Sequence, residues 1–256
     1  INSFNKTNVN MIYIANWKMY GNLADIKSLK NVINLSNQKK FKKSKIIYCP
    51  PFTLLDVFIK KTKNSKIIIG AQNCHFTNSY GAFTGSINSK MIKNIGAKYV
   101  ILGHSECRQA GDTNTTINKK IISALSEKLN IIFCIGETLD EKKKGNTKKI
   151  LKKQISIGLS KVKKNKNILI AYEPRWAIGT GITPRLQDLE KTILEIKKIC
   201  KKMPNVYSNL KILYGGSVNN ENSSQIVKIP FIQGLLIGKA SLNSKKFIDI
   251  IKKTII

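Results

Sequence analysis

The feature that most narrows what this chain can fold into is an alternation. Short apolar runs at 12–15, 45–49, 67–71, 99–102, 130–135, 168–171, 211–214 and 233–237 are separated by longer segments rich in lysine and asparagine. Each run is too short for a buried helix and is apolar at successive positions after at most a polar first residue, and the run at 168–171 is apolar throughout, the pattern of a strand covered on both faces. Several of the segments between them have helical spacing. In Leu23 to Gln38 it is carried by Leu23, Ile26, Leu29, Val32 and Ile33. Further helices are expected over Leu54 to Lys63, over a lysine-rich stretch reaching about Lys164, over Pro184 to Lys202, and at the end of the chain. Strand and helix thus alternate about eight times with no linker or composition break. Such units close into a (β/α)8 barrel of ~250 residues, with the chemistry at the C-terminal ends of the strands. The expected fold is therefore a single-domain α/β barrel over 11–256, with 1–10 as an N-terminal extension outside it. An open doubly wound sheet is the alternative, but the first strand–helix turn lacks G-x-G-x-x-G.

Composition excludes several classes. No apolar run approaches the ~20 residues that span a bilayer, and the polar start lacks a secretion signal. A soluble, cytoplasmic protein is expected. Five scattered cysteines without a C-x-x-C pair do not make a disulfide or zinc framework, and only two histidines are present. No metal is expected. The formal net charge of +31 invites a nucleic-acid reading. Lysine supplies nearly all of it, however, and runs along the whole chain, whereas base-edge readers favour arginine forks. No specific nucleic-acid partner is expected; Lys, Ile and Asn are abundant together, as under an AT-rich coding bias.

The chemistry-bearing residues follow the strands. Ile168-Leu169-Ile170-Ala171 runs into Tyr172-Glu173-Pro174-Arg175-Trp176-Ala177-Ile178-Gly179-Thr180-Gly181. A carboxylate at a rigid strand end, followed by a hinged flap, suits proton abstraction shielded from water. The first strand ends in Asn16-Trp17-Lys18, where alternation would turn Asn16 and Lys18 to the same side, toward the barrel mouth. The fourth ends in Gly103-His104-Ser105-Glu106, and a helix beginning there would disfavour imidazolium and leave a neutral hydrogen-bond donor. Gly215-Gly216-Ser217 and Gly238-Lys239 follow strands seven and eight, where barrels often cradle phosphate with backbone N–H groups. Phe83, among the small residues of Gly81-Ala82-Phe83-Thr84-Gly85, suggests a partner contact on a protruding loop.

These motifs, with Cys134-Ile135-Gly136-Glu137 and Tyr214-Gly215-Gly216-Ser217-Val218, occur in an order that resembles triosephosphate isomerase over almost the whole chain from Ile12. The resemblance implies interconversion of dihydroxyacetone phosphate and D-glyceraldehyde 3-phosphate without a cofactor. It makes Glu173 the base, His104 the electrophile and proton shuttle, and Lys18, with Asn16, the stabiliser of developing negative charge. It gives Asn16, Trp17, Lys18, Gly179, Ser217, Gly238 and Lys239 to substrate binding, with the last four on the phosphate. Glu106 and Cys134 become supporting residues. The resemblance also implies a homodimer in which the loop of Phe83, Thr84 and Gly85 enters the neighbour near Lys18.

Departures from the family pattern are specific. Lys239 stands at a usual glycine, and Arg175 at a usual small aliphatic in the flap's first hinge. The segment after Gly181 is short. Cys107 and Ser86 stand where the resemblance implies an arginine and a glutamate paired across the dimer. Two rivals remain at this level: another phosphate-binding barrel such as an indole-glycerol-phosphate synthase or an aldolase, and a non-catalytic basic binding protein. The first needs a Schiff-base lysine or a larger pocket; the second would not keep Glu173 and His104 together.

Overall fold

A computed structural model describes residues 10–163, 167–203 and 210–255. Eight strands form one closed parallel barrel in chain order: β1 (Ile12–Asn16), β2 (Lys45–Cys49), β3 (Ile68–Ala71), β4 (Tyr99–Leu102), β5 (Asn130–Ile135), β6 (Ile168–Tyr172), β7 (Lys211–Tyr214) and β8 (Ile232–Ile237). Closure comes from β8 pairing with β1 across Ile12–Gly234 and its successors. Residues 1–9 of the expected N-terminal extension lie outside the described residues; Asn10 is exposed and Met11 is buried.

The period-two geometry of each strand sorts its side chains into two cores. Ile12, Ile14, Ile47, Cys49, Tyr99, Ile101, Ile132, Cys134, Leu169, Ala171, Leu213 and Leu236 form a cluster of their own, the filled interior of the barrel. The intervening residues, such as Tyr13, Tyr48, Phe133 and Tyr214, pack outward in a second, larger cluster with the helices. This double burial is why the strands are continuous apolar runs rather than alternating ones.

The outer layer comprises α1 (Leu29–Asn37), α2 (Phe52–Thr62), α3 (Ser89–Asn94), α4 (Ser105–Gln109), α5 (Asn114–Ser126), α6 (Leu139–Lys143), α7 (Thr147–Gly158), α8 (Leu186–Lys201), α9 (Ser223–Ile226) and α10 (Ser244–Thr254). Two expected helices are divided. The segment from Leu23 begins as a 3-10 turn, Leu23–Ser28, fixed by a reciprocal cap between Asn22 and Asp25, before α1 starts. The lysine-rich helix is α6 and α7 with a break between them. Lys144 caps α6, and Gly145 takes a φ of 69° that breaks the helix before α7 lays Leu151, Gln154 and Ile155 on the core. Helix propensity is high throughout, but one straight helix could not follow the curved barrel wall with the same face. Helix α5 was not singled out by sequence; its signal is the Thr113 cap followed by buried Ile117, Ile121 and Ala124 at helical spacing.

The two clusters differ in what they tolerate. Leu213→Ala, in the closed interior, should destabilise the protein by about 2–5 kcal/mol because the ring of strands cannot collapse onto the void. Lys149→Ala on the exposed face of α7 should stay within about 0.5 kcal/mol. Urea unfolding of the two variants at a common slope tests the contrast.

Candidate active site

The carboxylate of Glu173 is buried just past β6, with only 2% of the residue exposed. Strand pairing continues one residue beyond the strand, the Glu173 N–H donating to the Ile135 carbonyl at 2.7 Å. Its Oε1 lies 3.4 Å from His104 Nε2, and its Oε2 accepts the Ser105 N–H at 3.4 Å. The Cys134 thiol hydrogen-bonds the same carboxylate. Burial pushes the Glu173 pKa above its ordinary value, and His104, the Cys134 thiol, the Ser105 N–H and Lys18 each pull it back. Cys134 is itself raised well above a normal thiol, first by burial and then by the Glu173 charge. It is a hydrogen-bond donor here, not a thiolate.

His104 reaches this carboxylate because Gly103 turns the chain with φ 75°; a Cβ there would press on the Cys134 carbonyl at 2.9 Å. His104 is the cap residue of α4, and its Nδ1 accepts the Glu106 N–H at 3.3 Å. A nitrogen that accepts a backbone N–H carries no proton, so the neutral ring has its N–H at Nε2, facing Glu173. Lys18 enters from β1. Its Nζ donates to Glu106 Oε1 at 2.7 Å, and its backbone N–H donates to Asn16 Oδ1 at 3.1 Å. Strand alternation is not what brings Lys18 to the mouth. The strand stops at Asn16, and Lys18 adopts a left-handed φ of 55° that directs it to the mouth. Gln72 secures this strained turn by donating to the Lys18 and Cys49 carbonyls at 2.9 and 2.8 Å.

The residues expected on the phosphate side lie as follows. The Gly238 position is so near the mouth that a Cβ there would lie 3.6 Å from Lys18 Cε. Lys239 begins the 3-10 turn Lys239–Leu242 and is exposed. Ser217 Oγ donates to the Ala177 carbonyl at 2.5 Å, tying the loop after β7 to the flap. Gly179 and Gly181 have φ of 72° and 77° and stand at an exposed tip with open space beside them.

One expected contact is corrected. The Trp17 side chain is 2% exposed and lies in the outer core, edge-on to Phe58 at 5.0 Å and to Tyr48 at 6.1 Å. Alternation sends it to the opposite face from Asn16, so the indole does not line the mouth. Other residues were missed as members of the site. Glu137 is buried and accepts from the Trp176 indole at 3.0 Å and from the Tyr172 hydroxyl at 3.1 Å, anchoring the root of the flap. Lys142 lies 3.6 Å above the same indole. Arg108 ties two strand ends together through the Gly103 and Cys134 carbonyls at 2.7 and 3.1 Å. Glu137 stood in a recognised motif at a strand end; nothing local marks Gln72 or Arg108.

The family model for triosephosphate isomerase matches residues 11–254. The chain belongs to the triosephosphate isomerase family. The triosephosphate isomerase of Dictyoglomus thermophilum is 42% identical over 247 residues, covering 94% of this chain and 98% of that one. That of Zygosaccharomyces bailii is 41% identical over 240 residues, covering 93% and 95%. The crystal structure of triosephosphate isomerase from Bartonella henselae superposes with a TM-score of 0.86 at 30% identity, over 96% of this chain and 99% of that one.

Within this triosephosphate isomerase fold the tightest steric constraint on Glu173 is Gly136. A side chain there would overlap the Glu173 carbonyl. Gly136→Ala should therefore displace the strand end that carries the carboxylate. The expected result is a fall in kcat/KM larger than the loss of thermal stability would explain, since a 1 Å misplacement can cost ~10²-fold. Steady-state kinetics beside a melting curve checks it.

Proposed function

We propose that this chain interconverts dihydroxyacetone phosphate and D-glyceraldehyde 3-phosphate in the mouth just described, with Glu173 as the base. The observation that carries the reading is the buried Glu173 carboxylate set 3.4 Å from the Nε2 of His104. Glu173 takes the proton from the carbon beside the carbonyl, and the electron pair of that C–H bond moves to give an enediolate. His104 donates its Nε2 hydrogen bond to the developing oxyanion and moves protons between the two oxygens. Glu173 then returns its proton to the neighbouring carbon. Lys18, oriented by Glu106, offsets negative charge on the intermediate with help from Asn16. The backbone N–H groups of Gly179, Ser217, Gly238 and Lys239 hold the phosphate once the flap folds over it. Closing the flap excludes water and keeps the enediolate from losing phosphate.

A coupled assay tests the reading. The protein should turn over triose phosphates, and Glu173→Gln should lower kcat by about 10²–10⁴-fold, the usual contribution of a positioned base. A folded wild type without turnover rejects it. The pH profile gives a second test. A base works ionised, so a raised carboxyl pKa moves the acid limb of kcat/KM upward, above the ordinary glutamate range. Cys134→Ala removes a group that lowers this pKa and should shift the limb to still higher pH.

The same reading includes a cytoplasmic homodimer. Five free thiols suit a reducing compartment. The loop carrying Phe83, Thr84 and Gly85 is exposed, and Phe83 packs on His75 with ring centres 4.6 Å apart. Tyr80 on that loop is exposed, as are Met19 and Tyr20 beside Lys18. Apolar groups at both a projection and a rim suit an isologous contact. Sedimentation should give a dimer at micromolar concentration, and Phe83→Asp should yield a less active monomer. A fully active wild-type monomer rejects the dimer.

A further inference from the structure

A cavity of about 340 Å³ lies outside the mouth, behind the root of the flap. Arg108, Lys153 and Arg175 line it, with Asp112, Glu141 and the start of α5 at Thr113 and Asn114. Its charge is unbalanced. Arg108 donates only to neutral oxygens, those of Gly103, Asn114 and Cys134. Among the described residues neither Arg108 nor Arg175 forms an ion pair, and the Arg175 Nε is buried with no hydrogen-bond partner. Of the two carboxylates, Asp112 has a cationic partner and Glu141 is hydrogen-bonded at Oε2 only. Lys120 holds both oxygens of Asp112 at 2.7 and 2.8 Å, and Glu141 caps its own helix by accepting from Thr138. Burial depresses the Arg108 pKa and Arg175 adds to this, while Cys134, Glu173 and Asp112 pull it back from a distance without a direct ion pair. Two partly buried guanidiniums without an ion-pair partner, one of them with its Nε buried and unbonded, are costly, and the first turn of α5 adds N–H groups beside them.

We propose that this cavity is a second anion site, selective for a phosphate-sized dianion, which bridges Arg175 to Arg108 and Lys153. Arg175 is the first residue after the Pro174 that follows the base, and its backbone N–H is already fixed to the Glu137 carbonyl at 3.0 Å. A bound dianion fixes the side chain as well. The root of the flap then has both its backbone and its side chain held, so occupancy slows flap motion without blocking the mouth. Arg175, which departs from the family pattern, is thereby given a ligand and a regulatory consequence. The consequence for turnover rests on the isomerase reading; the binding site does not.

The probe is inorganic phosphate, used with the full chain, wild type, Lys153→Gln and Arg175→Gln. Calorimetry should give two phosphates per chain in the wild type, one in the mouth and one here. Each variant should weaken the second by about tenfold or more, the scale of one lost charge-assisted hydrogen bond. Phosphate should inhibit the wild type in a mixed manner, lowering apparent kcat as well as raising KM. In Lys153→Gln, whose turnover without phosphate should match wild type, inhibition should become purely competitive. One phosphate per chain in the wild type, or two that neither variant changes, overturns the proposal. Two variant-sensitive sites in a protein without turnover would leave the anion site standing and overturn the flap coupling.

Discussion

Everything at the mouth depends on keeping one carboxylate out of water and still able to ionise. Isolation would neutralise Glu173 outright; too many donors would leave it a poor base. The structure sits between these limits. The neighbouring His104, the weak thiol donor of Cys134, the backbone N–H of Ser105 and the Lys18 cation together moderate the burial shift without cancelling it. Rigid backbone makes this balance possible. The Glu173 N–H is locked to β5, and Gly136 presses against its carbonyl. The sign of the linkage follows. Because the folded pKa is raised, ionised Glu173 subtracts stability at pH above that pKa, and the penalty disappears in acid where the folded and unfolded forms are both protonated. The buried carboxylate is thus a destabilising element that the rest of the barrel must outweigh.

The same logic separates the two kinds of cation in this protein. The many surface lysines are solvated, and their exposed pairs, such as Lys60 with Asp56 and Lys144 with Asp140, add little to stability. Their summed field matters more, since it draws anions toward the barrel. The cations that matter structurally are few and local. Lys18 is held by Glu106, Lys120 by Asp112, and Arg108 by three neutral oxygens that link the ends of β4 and β5. Glu173, His104 and the loop after β6 therefore rest on neighbouring strand ends that are fastened to one another, and a change at one end reaches the others.

Much of this was legible. The strands were evident because parallel barrel strands are buried on both faces, so β4, β5 and β7 read as unbroken apolar runs. Glu173 and His104 stood out because each ends such a run. Where the reading failed, the reason was a turn or a packing decision made at a distance. The lysine-rich segment carries helical spacing on both sides of Gly145, so local pattern could not reveal that the helix breaks there. Trp17 was grouped with its polar neighbours, although strand alternation assigns it to the other face. Lys18 reached the expected place by a left-handed turn that no lysine favours locally.

The sequence by itself determined the number and order of strands, the filled interior, and which residues stand at the strand ends, because hydrophobic period and glycine placement are local properties. Only the tertiary structure decided which of those ends face each other and at what distance. Arg108, Gln72 and Glu137 acquire their roles from carbonyls and rings that are remote in the chain, and the Glu173 pKa depends on the water that closure removes. Those are consequences of bending eight strands into a ring, and no stretch of residues carries them alone.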